Sequence, residues 1–124
     1  MNLIIARLDG EKINDSLYRH YIEKLVREGI AGFIVFGGDY DEIKNFINYL
    51  QSIASEPLII ASDIERGVGQ QIKGGSLIPS QMGIAAGFDL KKNRQELESL
   101  YSIAIKEALD VGINLALIPV LDVN

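Results

Sequence analysis

The stretch LIIASDIERGVG, from Leu58 to Gly69, decides the fold class of this chain. Its continuous apolar run ends abruptly at Asp63, which is followed by Glu65, Arg66 and two glycines. An apolar run without polar alternation predicts a parallel strand that is buried on both faces. Parallel α/β proteins bind ligands at the ends of their strands and in the loops that follow, so Asp63 is the first candidate binding residue.

The same order of apolar strand and amphipathic helix repeats along the rest of the chain. The predicted strands are Asn2–Leu8, Gly32–Phe36, Leu58–Ala61 and the apolar run Leu115–Asn124. Helical spacing of apolar residues predicts helices over Ile13–Glu28, Tyr40–Ser55 and approximately Lys91–Val111. The resulting βαβαβαβ order predicts an α/β fold built on a parallel sheet.

Local signals predict how these elements begin, end and connect. Gly29 and Gly112 follow the first and third helices and are expected to act as C-cap residues. Asp39 with Glu42 three residues later predicts a capping box at the second helix. The connection from Asp63 to the third helix is unusually long, which is typical of functional or disordered loops.

Composition excludes several classes of protein. The chain has 124 residues and 48% hydrophobic composition, which predicts one domain over residues 1–124. Its net charge of -5 offers no basic surface for nucleic acid and disfavours anionic membranes. It has no cysteine, and the apolar start is too short for a signal core and is broken by Arg7 and Asp9, so a cytoplasmic location is expected.

Asp122 ends the fourth apolar run as Asp63 ends the third, which suggests one shared site. The alternative for both residues is that they only cap strand ends or loops. A dinucleotide site is disfavoured because Ile72 stands where the third glycine of the G-x-G-x-x-G fingerprint belongs. His20 lies within a predicted helix, remote in sequence from every strand end, and no His/Cys cluster is present, so we expect neither a metal nor a cofactor.

Four segments in this order resemble the first half of the catalytic (β/α)8 barrel of glycoside hydrolase family 3, the family of β-N-acetylhexosaminidases and β-glucosidases. They are IAGFIVFGG (Ile30–Gly38), PLIIASDIERG (Pro57–Gly67), IPSQMGIAAGFD (Ile78–Asp89) and ALDVGINLALIPVLDVN (Ala108–Asn124). The resemblance implies a carbohydrate substrate with a terminal β-linked N-acetylglucosamine or glucose.

The resemblance also implies roles for individual residues. The aspartate matched by Asp63 holds hydroxyls of the sugar, and the segment around Asp122 lines the same end of the barrel. Glu65 and Gln71 are further binding candidates, although Glu65 and Arg66 are expected to pair with each other instead. The chain departs from the family pattern where Arg66 replaces a glycine and where Val68 and Gln71 replace arginines.

The resemblance stops after the fourth strand, before the family's Lys-His loop and its nucleophile. We therefore expect no catalytic residue in this chain and reject Asp63 and Asp122 as the two carboxylates of a retaining glycosidase. A non-catalytic carbohydrate-binding or assembly module is the alternative function. Because half a barrel would leave its inner face and edge strands uncovered, the chain is expected to form a homo-oligomer or to bind a complementary half-barrel chain.

Overall fold

The structure is a computed structural model that describes residues 3–87, 89 and 92–121. Its strands are β1 (Ile5–Asp9), β2 (Gly32–Phe36), β3 (Ile59–Ser62) and β4 (Leu115–Ala116). Its helices are α1 (Ser16–Arg27), α2 (Tyr40–Ile53), α3 (Gln81–Gly87) and α4 (Arg94–Val111). The predicted α/β class is confirmed, and most boundaries differ from the predicted ones by only a few residues. The fourth strand is the exception, because β4 ends at Ala116 whereas the predicted apolar run continues to Asn124. α3 is a further helix that the sequence pattern did not predict.

The four described strands form one parallel sheet in the order β1-β2-β3-β4. Leu8 pairs with Val35 between β1 and β2, Phe33 with Ile60 between β2 and β3, and Ser62 with Ala116 between β3 and β4. A doubly wound sheet would reverse its strand order at a switch point, whereas a barrel adds each strand beside the last. The sequential order is therefore that of half a (β/α)8 barrel.

The core lies on one face of this sheet, beneath the helices. Side chains from alternate strand positions join the apolar faces of α1, α2 and α4 in one cluster, which includes Leu8, Phe33, Val35, Ile60, Ile22, Ile47 and Val111. The opposite face, here called the inner face, carries Ile5, Ile59 and Leu115, which are 39%, 39% and 40% exposed. The prediction that the strands are buried on both faces is therefore wrong for these three positions, because the described helices pack against the other face.

The ends of α1 and α4 follow the two predicted glycine caps, and α1 has an N-cap that was not predicted. Gly29 and Gly112 have positive φ angles of 83° and 96°, as expected for residues that end helices in the left-handed region. Asp15 caps α1 by accepting from the backbone N–H groups of Leu17 and Tyr18.

None of the described helices combines the length and the apolar composition that a membrane span requires.

The predicted capping box at α2 does not form. Asp39 is the N-cap residue, but its side chain makes no capping hydrogen bond. Glu42 instead accepts a hydrogen bond of 3.1 Å from Asn14 Nδ2, in the segment before α1. A tertiary contact has therefore replaced the local one that the sequence pattern indicates.

The long connection after β3 is folded rather than structureless. It contains a 3₁₀ turn (Val68–Gln70) and α3. Val68 and Ile72 are fully buried in the core cluster. Two backbone hydrogen bonds join its two arms, from Gly69 N to Ser76 O at 3.0 Å and from Ile78 N to Arg66 O at 2.8 Å. The loop after β3 is therefore a built part of the fold.

Candidate functional site

Asp63 lies directly after β3, at the carboxyl end of the sheet. Leu117 N donates to Ser62 O at 3.0 Å, so the parallel pairing of β3 with the β4 segment continues up to this residue. Successive side chains of a strand alternate between faces, which places Asp63 on the inner face with Ile59 and Ala61. Its side chain is half-buried, and no described residue hydrogen bonds or forms an ion pair with its carboxylate. Both oxygens are therefore free to accept hydrogen bonds from a ligand.

Two residues of β1 reach the same end of the inner face and were not identified as site candidates from the sequence. The Arg7 guanidinium carbon lies 4.9 Å from the centre of the Phe36 ring, and Arg7 Nη2 lies 3.9 Å from Asp9 Oδ2. Asp9 pairs with Phe36 at the last register position of β1 and β2. The sequence signal for these two residues is their charge at alternate positions of the first strand.

A cavity of about 650 Å³ opens beside the loop that follows Asp63. Three elements form it: the loop after β3, the start of α3 and the segment after β4. Its lining residues are Glu65, Arg66, Gln70, Ser80, Gln81, Met82, Ala85 and Val120. Cavities of about 300–1,000 Å³ are typical of small-molecule sites, so this one is large enough for a saccharide unit.

The charged residues of this cavity are arranged differently from the sequence expectation. Glu65 and Arg66 were expected to pair, but no ion pair joins them. Gln70 Nε2 donates to Glu65 Oε2, and Gln70 Oε1 accepts from the backbone N–H of Arg66 at 2.9 Å. The predicted ion pair is wrong because the 3₁₀ turn brings Gln70 back between the two residues. The guanidinium of Arg66 has no partner among the described residues.

Gln71 and Asp122 are the remaining predicted site residues. Gln71 is half-buried and is not among the residues that line the cavity. Asp122 lies outside the described residues, although Val120, two positions earlier, lines the cavity. His20 is exposed on α1 and is not among the residues that line the cavity. The structure thus groups Glu65 with Arg66 and Gln70 just after Asp63.

An ion pair ties the loop after β3 to the segments that follow β1 and β2. Lys73 Nζ lies 3.0 Å from Glu11 Oε1, which also accepts from the backbone N–H of Gly38 at 3.2 Å. The hydrogen bond from Lys73, followed by that from Gly38, lowers the pKa of the Glu11 carboxyl, and Glu11 in turn raises the pKa of Lys73. Backbone bonds from Lys73 N to Gly38 O and from Tyr40 N to Lys73 O, both 2.9 Å, reinforce this attachment.

The far arm of the same loop is held by α4. Glu107 accepts from Ser76 N at 2.8 Å through one carboxylate oxygen and from Ser76 Oγ at 3.1 Å through the other. The loop that begins at Asp63 is therefore attached at both of its arms. Such attachments allow the loop to present its polar groups in one arrangement, which a ligand then need not impose.

The described residues include no group of three or more His, Asp or Glu side chains arranged to hold a metal ion. The described residues form half a parallel α/β barrel, and Asp63 and the cavity lie at the carboxyl end of its strands, which is where barrel enzymes bind their ligands. The family model described as the glycosyl hydrolase family 3 N terminal domain matches residues 6–124. The chain belongs to this family. A comparison with curated proteins finds no match.

Proposed function

We propose that this chain supplies the sugar-binding part of a family 3 glycosidase, which removes terminal β-linked N-acetylglucosamine or glucose residues when its barrel is complete. The observation that carries the proposal is Asp63, a half-buried carboxylate on the inner face with no protein partner among the described residues. A carboxylate can accept charge-assisted hydrogen bonds from two adjacent sugar hydroxyls. Its position immediately after β3 is where barrel enzymes bind their substrates.

The proposal assigns binding rather than chemistry to this chain. Asp63 orients the sugar, Glu65 and Gln71 are candidates for further contacts in the same loop, and Asp122 is a candidate from the following strand. Retaining hydrolysis needs a nucleophile and a proton donor, and the proposal assigns neither role to these residues. The complementary half of the barrel would supply both groups, from a second polypeptide or a further part of the same one.

The titration of the chain with methyl β-D-glucoside and methyl N-acetyl-β-D-glucosaminide tests the proposed function. Substitution Asp63→Asn keeps the shape of the side chain but removes its charge, and is expected to weaken binding by about 1.5–3 kcal/mol, at least about tenfold. Glu56→Gln is the control, because it makes the same chemical change in the exposed connection before β3 and should leave binding unchanged. Chemical shifts of backbone amides around Asp63 would report binding. Equal affinity of wild type and Asp63→Asn would contradict the proposal.

A non-catalytic carbohydrate-binding or assembly module is the second candidate, and the uncovered apolar inner face favours it. The two functions differ in what happens when the barrel is completed. Hydrolysis of aryl β-N-acetylglucosaminides or β-glucosides by the chain mixed with a complementary half-barrel would support the glycosidase. Formation of a complex that binds sugar without hydrolysing it would support the module.

A further inference from the structure

We infer that the cavity formed by the loop after Asp63 binds a carboxylate group of the saccharide through Arg66, so that a sugar of the glucose type that bears a carboxylate, such as a uronic acid, binds more tightly than the neutral sugar. The inference rests on the proposed function, because it places the carboxylate next to a sugar held by Asp63. It adds a specificity-determining residue, Arg66, at a position where the family pattern has a glycine.

The Arg66 guanidinium faces the cavity site without a described partner. Arg66 lines the cavity of about 650 Å³, and its guanidinium has neither an ion pair nor a hydrogen bond among the described residues. Eight ion pairs involve other lysines and arginines of the described chain. Arg66 is thus a cation without a partner among the described residues, in a concave site of a chain with net charge -5.

The loop does not need this guanidinium for its own structure. Only the backbone of Arg66 is used, through its N–H to Gln70 Oε1 and its carbonyl oxygen to Ile78 N. Glu65, the nearest carboxylate in sequence, is occupied by Gln70 Nε2. The five N–H donors of the guanidinium are therefore available, in the planar fork that matches a carboxylate.

The other residues of the cavity determine which charge and shape of ligand it suits. Glu65 lines the same cavity, and its negative charge disfavours a doubly charged phosphate more than a singly charged carboxylate. Ser80 Oγ accepts from Gly83 N, which leaves its hydroxyl proton free to donate to a sugar oxygen. Met82 and Val120 are 66% and 51% exposed and offer apolar surface to the ring. Together these groups suit a sugar ring that bears one carboxylate.

The test compares methyl β-D-glucuronide with methyl β-D-glucoside, which differ only at the carboxylate, in calorimetric titrations of the wild-type chain at low and high salt. The glucuronide is expected to bind about tenfold more tightly at low salt, with a smaller preference at high salt. Arg66→Gln and Arg66→Gly should abolish the preference without weakening the glucoside, and Arg66→Lys should keep part of it. Arg27→Gln removes another unpaired, exposed arginine and should change nothing.

The outcomes separate this inference from the proposed function. Equal affinities for the two sugars in the wild type, or a preference that persists in Arg66→Gln, would overturn the carboxylate site while leaving sugar binding at Asp63 intact. Failure of both sugars to bind, or binding that is unchanged in Asp63→Asn, would overturn the proposed function and this inference with it. Because the Arg66 side chain is exposed and makes no hydrogen bond or ion pair with the described residues, its variants are expected to fold normally.

Discussion

At the scale of single residues, the site depends on how closely the strand ends approach one another. Gly10 follows β1, and a Cβ atom built on it would lie 2.1 Å from Gly37 O and 2.7 Å from Ile43 Cδ1. The backbone after β1 therefore touches the backbone after β2, where any larger residue would collide. This contact holds the ends of the first two strands together beside Arg7 and Asp9.

Substitution Gly10→Ala is expected to lower the free energy of unfolding by about 1–3 kcal/mol, because the neighbouring atom is a backbone carbonyl that cannot rotate away. Urea denaturation followed by circular dichroism would measure the change. Gly87→Ala is the matched control, since a Cβ atom at Gly87 would meet nothing within 4 Å and its φ angle is not positive. A Gly10→Ala protein as stable as the control would show that the two backbones do not touch.

At the scale of elements, α2 and α4 are joined by a polar cluster of Tyr40, Lys44, Glu107 and Asp110. The Tyr40 hydroxyl lies 3.0 Å from Glu107 O and 3.0 Å from Asp110 Oδ2, and Lys44 Nζ lies 2.8 Å from Asp110 Oδ1. The hydrogen bond from Lys44, followed by that from Tyr40, lowers the pKa of Asp110. Burial, followed by the hydrogen bond to Asp110, raises the pKa of Tyr40 to about 12.

The raised pKa of Tyr40 predicts a pH-dependent contribution to stability. A folded-state pKa above the unfolded value of about 10 means that the native state favours the neutral phenol, so its contribution is complete below about pH 10. It is lost as the pH rises through about 12. Tyr40→Phe should therefore be less stable than wild type at about pH 9, and the difference should shrink towards about pH 12.

Urea denaturation of both proteins across this pH range would measure the difference. Tyr21→Phe is the control, because Tyr21 is 55% exposed on α1 and its substitution should cost little at any pH. A difference between wild type and Tyr40→Phe that stays constant with pH would contradict the linkage.

At the scale of the whole molecule, the helices cover one face of the sheet and leave the other open. Ile5, Ile59, Leu115 and Leu117 are each about 40% exposed on the inner face. β1 and β4 are the edge strands of the described sheet, and each presents unpaired backbone groups. Apolar surface next to open edges is typical of a face that binds another protein surface.

The chain is expected to self-associate at micromolar concentration through its inner face, unless a complementary half-barrel is present. Ile5→Glu places a charge on this face and should shift the light-scattering mass towards that of a monomer. Leu17→Glu is the control, because Leu17 is 82% exposed on α1, away from the inner face. A stable wild-type monomer at that concentration would overturn the expectation.

The sequence by itself determined the element order, the parallel α/β class, the glycine caps and the position of Asp63 at a strand end. These features depend on local periodicity and on the φ freedom of glycine, which are readable without knowing distant contacts. The capping box predicted at Asp39 and the predicted Glu65–Arg66 pair do not form, so local patterns did not predict these side-chain contacts. In each case a side chain found a different partner, Asn14 for Glu42 and Gln70 for Glu65.

Only the tertiary structure decided which polar groups share the site. The length of the connection after β3 indicates a functional or disordered loop, but the Lys73–Glu11 ion pair attaches it to the segment after β1 and the bonds from Ser76 to Glu107 attach it to α4. Those partners are dozens of residues away along the chain, so no local pattern predicts them. The folding of this loop leaves the side chains of Asp63 and Arg66 without partners in the part of the chain that the structure describes, because hydrogen bonding depends on three-dimensional proximity rather than on residue type.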